Sequence, residues 1–355
     1  MKKICLGLAA VLLAGAAAVT GASAQNLEKF RVVKANANLN IGEDVFMMAV
    51  PKHLGYFQEE GLDVELLPAQ GGAQAGQILI TKGAEVASLL GEALLKIREQ
   101  GGDVVGFYTL KQSNGYSVGV LPDSPIKTLN DLPGKKIGLG TVGAGSDALL
   151  AYQMKTLGID GAYVPVGLGY GPQVQTAAAS GQVDGLIFWD SLFAIFANQG
   201  LKMRHIEIPI QTELAGFQLA FRSEYAKDNE KQIVGYCRAM AKAYQFTRTN
   251  PQAAVEIFYK EFPSTVPAGK PHDQVISDGM NILKSWVDSS LAGEPEDKLP
   301  GSEYKERWER SQVVYKDLGV LTKDNDVSQA FTSAYYDKCN DFDRDAVIAQ
   351  AKAYK

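Results

Sequence analysis

Residues 136–167, KIGLGTVGAGSDALLAYQMKTLGIDGAYVPVG, decide the fold class of this chain. A short β-type run at 136–139 is followed by a helical pattern that ends at Gly158, and a second β-type run covers 163–167. A strand, a helix of about ten residues and a second strand form a βαβ unit, whose two strands lie parallel in one sheet. The segment therefore predicts an α/β fold with mostly parallel sheets.

The same alternation extends on both sides of this segment. Further β-type runs are predicted at 30–33, 62–67, 85–89, 104–109 and 185–188. From about Ser223 the pattern changes to long helices, predicted over 227–248, from Pro251 onward, over 275–291 and over 302–318. Because this part contains few strand signals, we expect a helical C-terminal tail that packs on the first lobe.

A glycine motif lies between the two strands of the βαβ unit. Residues 138–143 match G-x-G-x-x-G, which in a dinucleotide-binding protein precedes an acidic residue that binds the ribose hydroxyls. The next strand ends at Gly167 without such a residue. The simpler interpretation is a tight turn that presents the amide N–H groups of Gly145, Ser146 and Asp147 to a ligand. We predict no cofactor.

The N-terminus has the three parts of a secretory signal peptide. Lys2 and Lys3 precede an apolar run at 4–19, and Ala22-Ser23-Ala24 provides a small-residue cleavage site. The apolar run approaches the length of a membrane span, which leaves a retained anchor as the alternative, but its Ala and Gly content favours cleavage near Ala24. The predicted mature chain has 355 − 24 = 331 residues, enough for two domains.

The composition excludes one class of partner and leaves one covalent feature open. Lys and Arg total 35 against 40 Asp and Glu, a net charge of −5 without a basic cluster, so nucleic acid is not an expected partner. After cleavage only Cys237 and Cys339 remain, in a compartment that permits disulfides. The sequence leaves open whether they pair or stay separate thiols.

Catalytic and metal motifs are not apparent. The three histidines, His53, His205 and His272, are scattered, and no serine has the context of a nucleophile elbow. His205 and Glu207 would share one face of a strand, but two ligands without a third do not define a metal site. An enzyme would need an acid–base pair, for which Glu92 with Asp190 is the candidate.

Two of the predicted strands are followed by side chains that suit a binding site. Trp189 and Asp190 follow the strand at 185–188, and Glu92 follows the strand at 85–89. In open α/β sheets, ligands bind at the carboxyl ends of the strands. The alternatives are that Trp189 belongs to the core and that Glu92 is a first-turn helix charge stabilised by the helix dipole.

Two interruptions between β-like runs, at 111–116 and 208–217, predict crossings between two lobes. These crossings would be hinges. The predicted lobes comprise residues 25–112 with 213–355, and residues 113–212. A cleft between the two sheets is then the expected ligand site.

Three blocks carry a family likeness: LGYFQEEGLDV at 54–64, DLPGKKI at 131–137 and SGQVDG at 180–185. In order and spacing they resemble the nitrate/sulfonate/taurine and thiamine-precursor substrate-binding proteins of ABC transporters, from about residue 30 to 222. The resemblance implies a type II periplasmic-binding fold, in which two lobes close over a ligand. It also implies a monomeric periplasmic receptor that serves a membrane permease with its ATPase.

The resemblance also places ligand-binding loops on particular residues. The mapped positions are Asn36, Asn38, Gly71, Gly72, Gly91, Glu92, Gly145, Ser146, Trp189 and Asp190. Helix-start amides suit a carboxylate or sulfonate, whereas Asp44, Glu92 and Asp190 suit N–H or O–H donors and disfavour nitrate. We therefore expect a small polar organic ligand: a sulfonate, a carboxylate or a nitrogen heterocycle.

Two other functions are compatible with the sequence. The first is an exported enzyme of the same fold, although the cysteine-rich catalytic motif of the yeast pyrimidine synthases in this superfamily is missing from the sequence. The second is a ligand-sensing module that reports to a receptor instead of a transporter.

Overall fold

Two five-stranded sheets organise the computed structural model, which describes residues 26–143, 145–295 and 297–355. The strands are β1 Glu28–Lys34, β2 Leu62–Pro68, β3 Val86–Leu90, β4 Val104–Lys111, β5 Tyr116–Val120, β6 Lys136–Leu139, β7 Val164–Gly167, β8 Gly185–Trp189, β9 Arg204–Glu207 and β10 Phe217–Arg222. The first sheet has the order β2-β1-β3-β10-β4 and the second β7-β6-β8-β5-β9. The predicted two-lobed α/β fold is confirmed. The predicted signal peptide, residues 1–24, lies outside the described residues.

Each sheet is parallel except for one strand. In the first sheet β1 pairs parallel with β2 and β3, while β10 runs antiparallel between β3 and β4. In the second, β6 pairs parallel with β7 and β8, while β5 runs antiparallel between β8 and β9. Both antiparallel strands directly follow a passage of the chain from one sheet to the other, at 112–115 and 208–216. The exact limits of the lobes stay a prediction.

Helices cover both sheets and form the C-terminal tail. They are α1 Val50–His53, α2 Tyr56–Glu59, α3 Gly72–Ile80, α4 Gly91–Glu99, α5 Gly145–Thr156, α6 Gln173–Ala179, α7 Asp190–Asn198, α8 Ser223–Asp228, α9 Glu230–Thr249, α10 Pro251–Glu261, α11 His272–Ser290, α12 Lys305–Asp317, α13 Tyr336–Cys339 and α14 Arg344–Ala353, with a π-helix at Val45–Ala49. None of these helices has the length and apolar composition that a bilayer crossing requires.

The tail differs from the sequence prediction at its start. One helix was predicted over 227–248, but the structure has two, α8 and α9, separated at Asn229. The side-chain amide of Asn229 donates to the carbonyl of Tyr225 at 2.9 Å, which satisfies an end group of α8 and favours a break in the helix. In the described part of the chain, no strand follows Arg222, as expected.

Helix α9 packs against the first sheet and is covalently joined to the end of the tail. Tyr236 lies with its ring centroid 5.2 Å from that of Phe30 on β1 and 5.7 Å from that of Phe57 on α2. The next residue, Cys237, forms a disulfide with Cys339 on α13, with a Cα–Cα distance of 5.2 Å. The structure therefore shows that Cys237 and Cys339, whose pairing the sequence leaves open, form a disulfide.

Helix α11 belongs to the tail but contacts both lobes. It packs on α10 of the first lobe and on α7 of the second. The side-chain amide of Asn198, on α7, donates to the carbonyl of Asp278 at 2.9 Å and accepts from Asn281 at 3.0 Å. The lobes are thus connected by this bridging helix, α11, as well as by the two chain passages.

Candidate ligand-binding cleft

A cavity of about 1240 Å³ lies between the two lobes. The first lobe contributes the loop after β1, the beginnings of α3 and α4, and the end of β4; the second contributes β5, the loop after β7, and the junction of β8 with α7. Lining residues from these elements include Asn36, Asn38, Asn40, Gly71, Gly72, Glu92, Lys111, Tyr116, Tyr170, Trp189 and Leu192. Its volume is above the range of about 300–1000 Å³ that is usual for small-molecule sites, so a small organic molecule would fill part of it.

Aromatic rings form the second-lobe wall of the cavity. The ring centroids of Tyr170 and Trp189 are 5.8 Å apart with their planes at 44°, and Tyr116 lines the same cavity. Trp189 also packs edge-on against Phe188, so both interpretations of this residue apply: one part contacts the core and another faces the cavity. These rings can stack on a planar ligand.

Glu92, in the first turn of α4, faces this aromatic wall from the first lobe. In the part of the chain that the structure describes, no group donates a hydrogen bond to its carboxylate, and burial raises the pKa of Glu92. A Cβ atom added to Gly145 would lie 3.4 Å from Oε2 of Glu92, which places the beginning of α5 beside this carboxylate. Among the described residues, Glu92 is therefore an acceptor in the cavity without a hydrogen-bond donor.

An ion pair between the lobes lies next to the cavity. Lys111, at the end of β4, has its Nζ 2.8 and 3.0 Å from the carboxylate oxygens of Asp190, at the start of α7. The hydroxyl of Ser289, on α11, also donates to Asp190. We call Lys111 and Asp190 the floor pair. The carboxylate of Asp190 is thus engaged by the protein, and Lys111, 5.6 Å above the ring of Trp286, lines the cavity.

The structure brings together part of the predicted set. Asn36, Asn38, Gly71, Gly72, Glu92 and Trp189 line the cavity, whereas Asp44, Gly91, Gly145, Ser146 and Asp190 are not among its lining residues. Asp44 is fully buried next to Lys34. Gly91 allows the second chain passage to approach closely. Any side chain at this position would clash with the passage, because its Cβ would lie 2.6 Å from the carbonyl oxygen of Ala215. Ligand contact by any of these residues stays a prediction.

Sequence reasoning missed several lining residues: Lys111, Tyr116, Tyr170, Phe217 and Trp286. The strand-end rule could have found Lys111, the last residue of β4, and Tyr170, three residues after β7. Trp286 had no such signal, because it reaches the cavity from the tail helix α11.

His205 and Glu207, the pair considered for metal, lie on β9. Nδ1 of His205 is 2.9 Å from Oγ of Ser117 on the neighbouring strand β5, and burial lowers the pKa of His205. Among residues 26–355 without 144 and 296, no three His, Cys, Asp or Glu side chains are grouped to hold a metal ion. His205 is accounted for by packing between strands.

A family comparison identifies the chain. The model of the family described as NMT1/THI5 like matches residues 44–254, which include strands β2 to β10 and more than half of the sequence. This chain belongs to the NMT1/THI5-like family. The resemblance predicted from the three sequence blocks is confirmed at that level.

Three proteins that are similar to this NMT1/THI5-like chain are described as binding proteins. A Bacillus subtilis (strain 168) protein named "Putative binding protein YtlA" is 25% identical over 293 residues, covering 77% of this chain and 80% of that protein. The periplasmic aliphatic sulphonate binding protein SsuA from Escherichia coli has a TM-score of 0.66 at 18% identity, over 86% of this chain and 92% of its own. The periplasmic nitrate-binding protein NrtA from Synechocystis PCC 6803 has a TM-score of 0.59 at 13% identity, over 93% and 99%.

Proposed function

We propose that this chain is the periplasmic solute-binding component of an ABC importer, which captures a small organic molecule and delivers it to the membrane permease. The observation that carries the proposal is the cavity of about 1240 Å³ between the lobes, lined from both sides. Membership of the NMT1/THI5-like family and the likeness to two periplasmic binding proteins support it. An exported enzyme is less well supported, because Asp190, half of its candidate acid–base pair, is engaged by Lys111.

The proposed mechanism is closure of the lobes over the ligand. A ligand that contacts Glu92 and the loop after β1 on one side and Trp189 on the other gains all contacts only when the lobes are close together. Such a ligand shifts the population toward the closed form, whose shape the permease would recognise. A shift from mostly open to mostly closed requires about 5.5 kcal/mol of differential affinity.

The residues in the cavity favour one of the three expected ligand classes. Glu92 offers an acceptor without a partner in the described structure, and Tyr116, Tyr170 and Trp189 offer aromatic surfaces. An anion in the cavity would be repelled by the carboxylate of Glu92, which lines it. We infer a planar nitrogen heterocycle that donates an N–H hydrogen bond, in preference to a sulfonate or a carboxylate.

Ligand binding is expected to appear as thermal stabilisation. We expect 4-aminopyrimidine to raise the melting temperature more than benzoate or taurine, and a ligand at about 100 times its Kd adds about 2.7 kcal/mol of stability. Trp189→Ala should remove most of this shift, whereas Leu157→Ala, an exposed site, should retain it. Equal shifts in both variants would contradict a role of Trp189, and no shift with any heterocycle would contradict the ligand class.

The carboxylate of Glu92 is expected to determine selectivity. Glu92→Gln should weaken the binding of 4-aminopyrimidine by about 10- to 100-fold, because a charge-assisted hydrogen bond contributes about 1.5–3 kcal/mol. The same change should strengthen the binding of benzoate, since it removes a repulsive charge. Calorimetric titration with 4-aminopyrimidine and with benzoate would measure both affinities and hence the change in selectivity.

A matched control is Glu309→Gln on α12, which removes the same charge from an exposed ion pair with Lys305. It should leave both affinities unchanged. Loss of affinity for both probes in Glu92→Gln would show that Glu92 supports the structure of the cleft instead of its selectivity.

A further inference from the structure

The loop after β1, residues 35–43, provides a large part of the polar wall of the cleft. It contains the lining residues Asn36, Asn38, Asn40 and Glu43. Behind it lies a cluster of three charged side chains, Lys34, Glu43 and Asp44, which we call the loop cluster; each is at most 7% exposed. The polar wall of the cleft is therefore built directly on buried charges.

The loop cluster holds the loop through hydrogen bonds to its backbone. Nζ of Lys34 donates to the carbonyl of Asn38 at 2.8 Å and to the carboxylate of Asp44, and lies 3.4 Å from Oε1 of Glu43. The carboxylate of Asp44 accepts the backbone N–H of Asn40 at 2.7 Å, and Nδ2 of Asn40 donates to Glu43 at 3.0 Å. A change in any one charge would alter several contacts that set the loop conformation.

The charges in the cluster do not balance. Two carboxylates share one ammonium. Within the part of the chain that the structure describes, Oδ1 of Asp44 is buried without a hydrogen-bond partner. The groups that act on Asp44 are Glu43 from the loop, Lys34 from β1 and the backbone N–H of Asn40. Tyr236 on α9 also faces the cluster, and burial with the charges of Asp44 and Glu43 raises its pKa. Burial, followed by the charge of Glu43, raises the pKa of Asp44 to about 7, although Lys34 acts in the opposite direction.

A tryptophan lies directly against the loop. The indole of Trp286 occupies the space where a Cβ on Gly42 would lie. The ring centroid of Trp286 is also 5.4 Å from that of Phe46, in the π-helix that follows the loop. Trp286 also lines the cleft. A displacement of the loop must therefore change the surroundings of this indole.

We propose that the loop cluster couples the binding of one proton by Asp44 to the position of the loop at residues 35–43. Lys34, Glu43 and Asp44 are then positioning residues of the cleft, an inference that rests on the proposed function for its biological meaning. With Asp44 ionised, the ammonium of Lys34 is shared between two carboxylates. With Asp44 protonated, Lys34 pairs with Glu43, and the bonds to Asn38 and Asn40 readjust.

The coupling can be measured without any ligand. Full-length protein labelled with 5-fluorotryptophan should give ¹⁹F resonances for Trp189, Trp286 and Trp308, and Trp286→Phe would identify the one of interest. Between pH 5 and 9 we expect the Trp286 resonance to shift with a midpoint near 7. Asp44→Asn, which imitates the protonated carboxyl, should abolish this transition.

A second variant gives a directional test that does not depend on Asp44→Asn folding. Glu43→Gln removes the like charge that raises the pKa of Asp44, so the midpoint should fall by about one pH unit or more. His272→Gln is the control for the titratable histidine at the start of α11, the helix that carries Trp286, and should leave the midpoint unchanged.

The proposal is overturned if the transition persists in Asp44→Asn, if its midpoint does not fall in Glu43→Gln, or if His272→Gln abolishes it. A flat titration of the unsubstituted protein would also overturn it. None of these results bears on whether the cleft binds a ligand, so failure of this inference is distinguishable from failure of the proposed function.

Discussion

Removal of the disulfide between Cys237 and Cys339 is expected to lower the free energy of unfolding by about 4–5 kcal/mol. The two cysteines are 102 residues apart, and the bond restricts a long loop in the unfolded chain. Cys237→Ala combined with Cys339→Ala should show this loss in urea unfolding, since both side chains are fully buried and α9 would lose its covalent link to α13.

The same experiment has an internal control. A reductant should lower the urea midpoint of the unsubstituted protein toward that of the double variant, and should leave the double variant unchanged. If reduction does not alter the midpoint of the unsubstituted protein, the disulfide does not contribute to its stability.

Lys111→Met is expected to destabilise the protein by about 3 kcal/mol, because it leaves the carboxylate of Asp190 without its cation. The side chains of the floor pair are only 8% and 17% exposed, and Ser289 would remain as the donor to Asp190. Lys111→Met combined with Asp190→Asn should recover most of the loss. Urea unfolding of the single and double variants would give the coupling energy of the pair.

Lys305→Met supplies the matched control for this substitution. Lys305 forms an exposed ion pair with Glu309, 61% and 51% exposed, which should contribute less than about 1 kcal/mol. If Lys111→Met were no more destabilising than Lys305→Met, the floor pair would contribute no more than an exposed ion pair does.

The strands that the sequence predicted share a local signal. The run at 136–139 coincides with β6, and the runs at 85–89 and 163–167 differ from β3 and β7 by a residue at their ends. In each case a short apolar run stands between two segments with a helical pattern. This signal for a strand does not depend on distant parts of the chain. The strand-end rule likewise placed Glu92 and Trp189 on the cavity wall.

Features that depend on distant pairing were not predictable. Strands β5 and β10 each lie between two strands that are remote from them in sequence, so local alternation does not specify their place in the sheets. Asp190 was correctly placed at a strand end, but its partner Lys111 is 79 residues away. The disulfide and the position of Trp286 could not be predicted for the same reason, because both depend on how the tail packs.

In the proposed closure mechanism, the bridging helix α11 would affect how quickly a bound molecule leaves. Its contacts to α7, through Asn198 and Ser289, must break before the lobes can separate, so they contribute to the activation barrier for release. Helix α11 lies after residue 254, outside the region that matches the NMT1/THI5-like family. In that mechanism, substitutions of Asn198 or Ser289 would change the residence time of the ligand while the lining residues Glu92 and Trp189 stay the same.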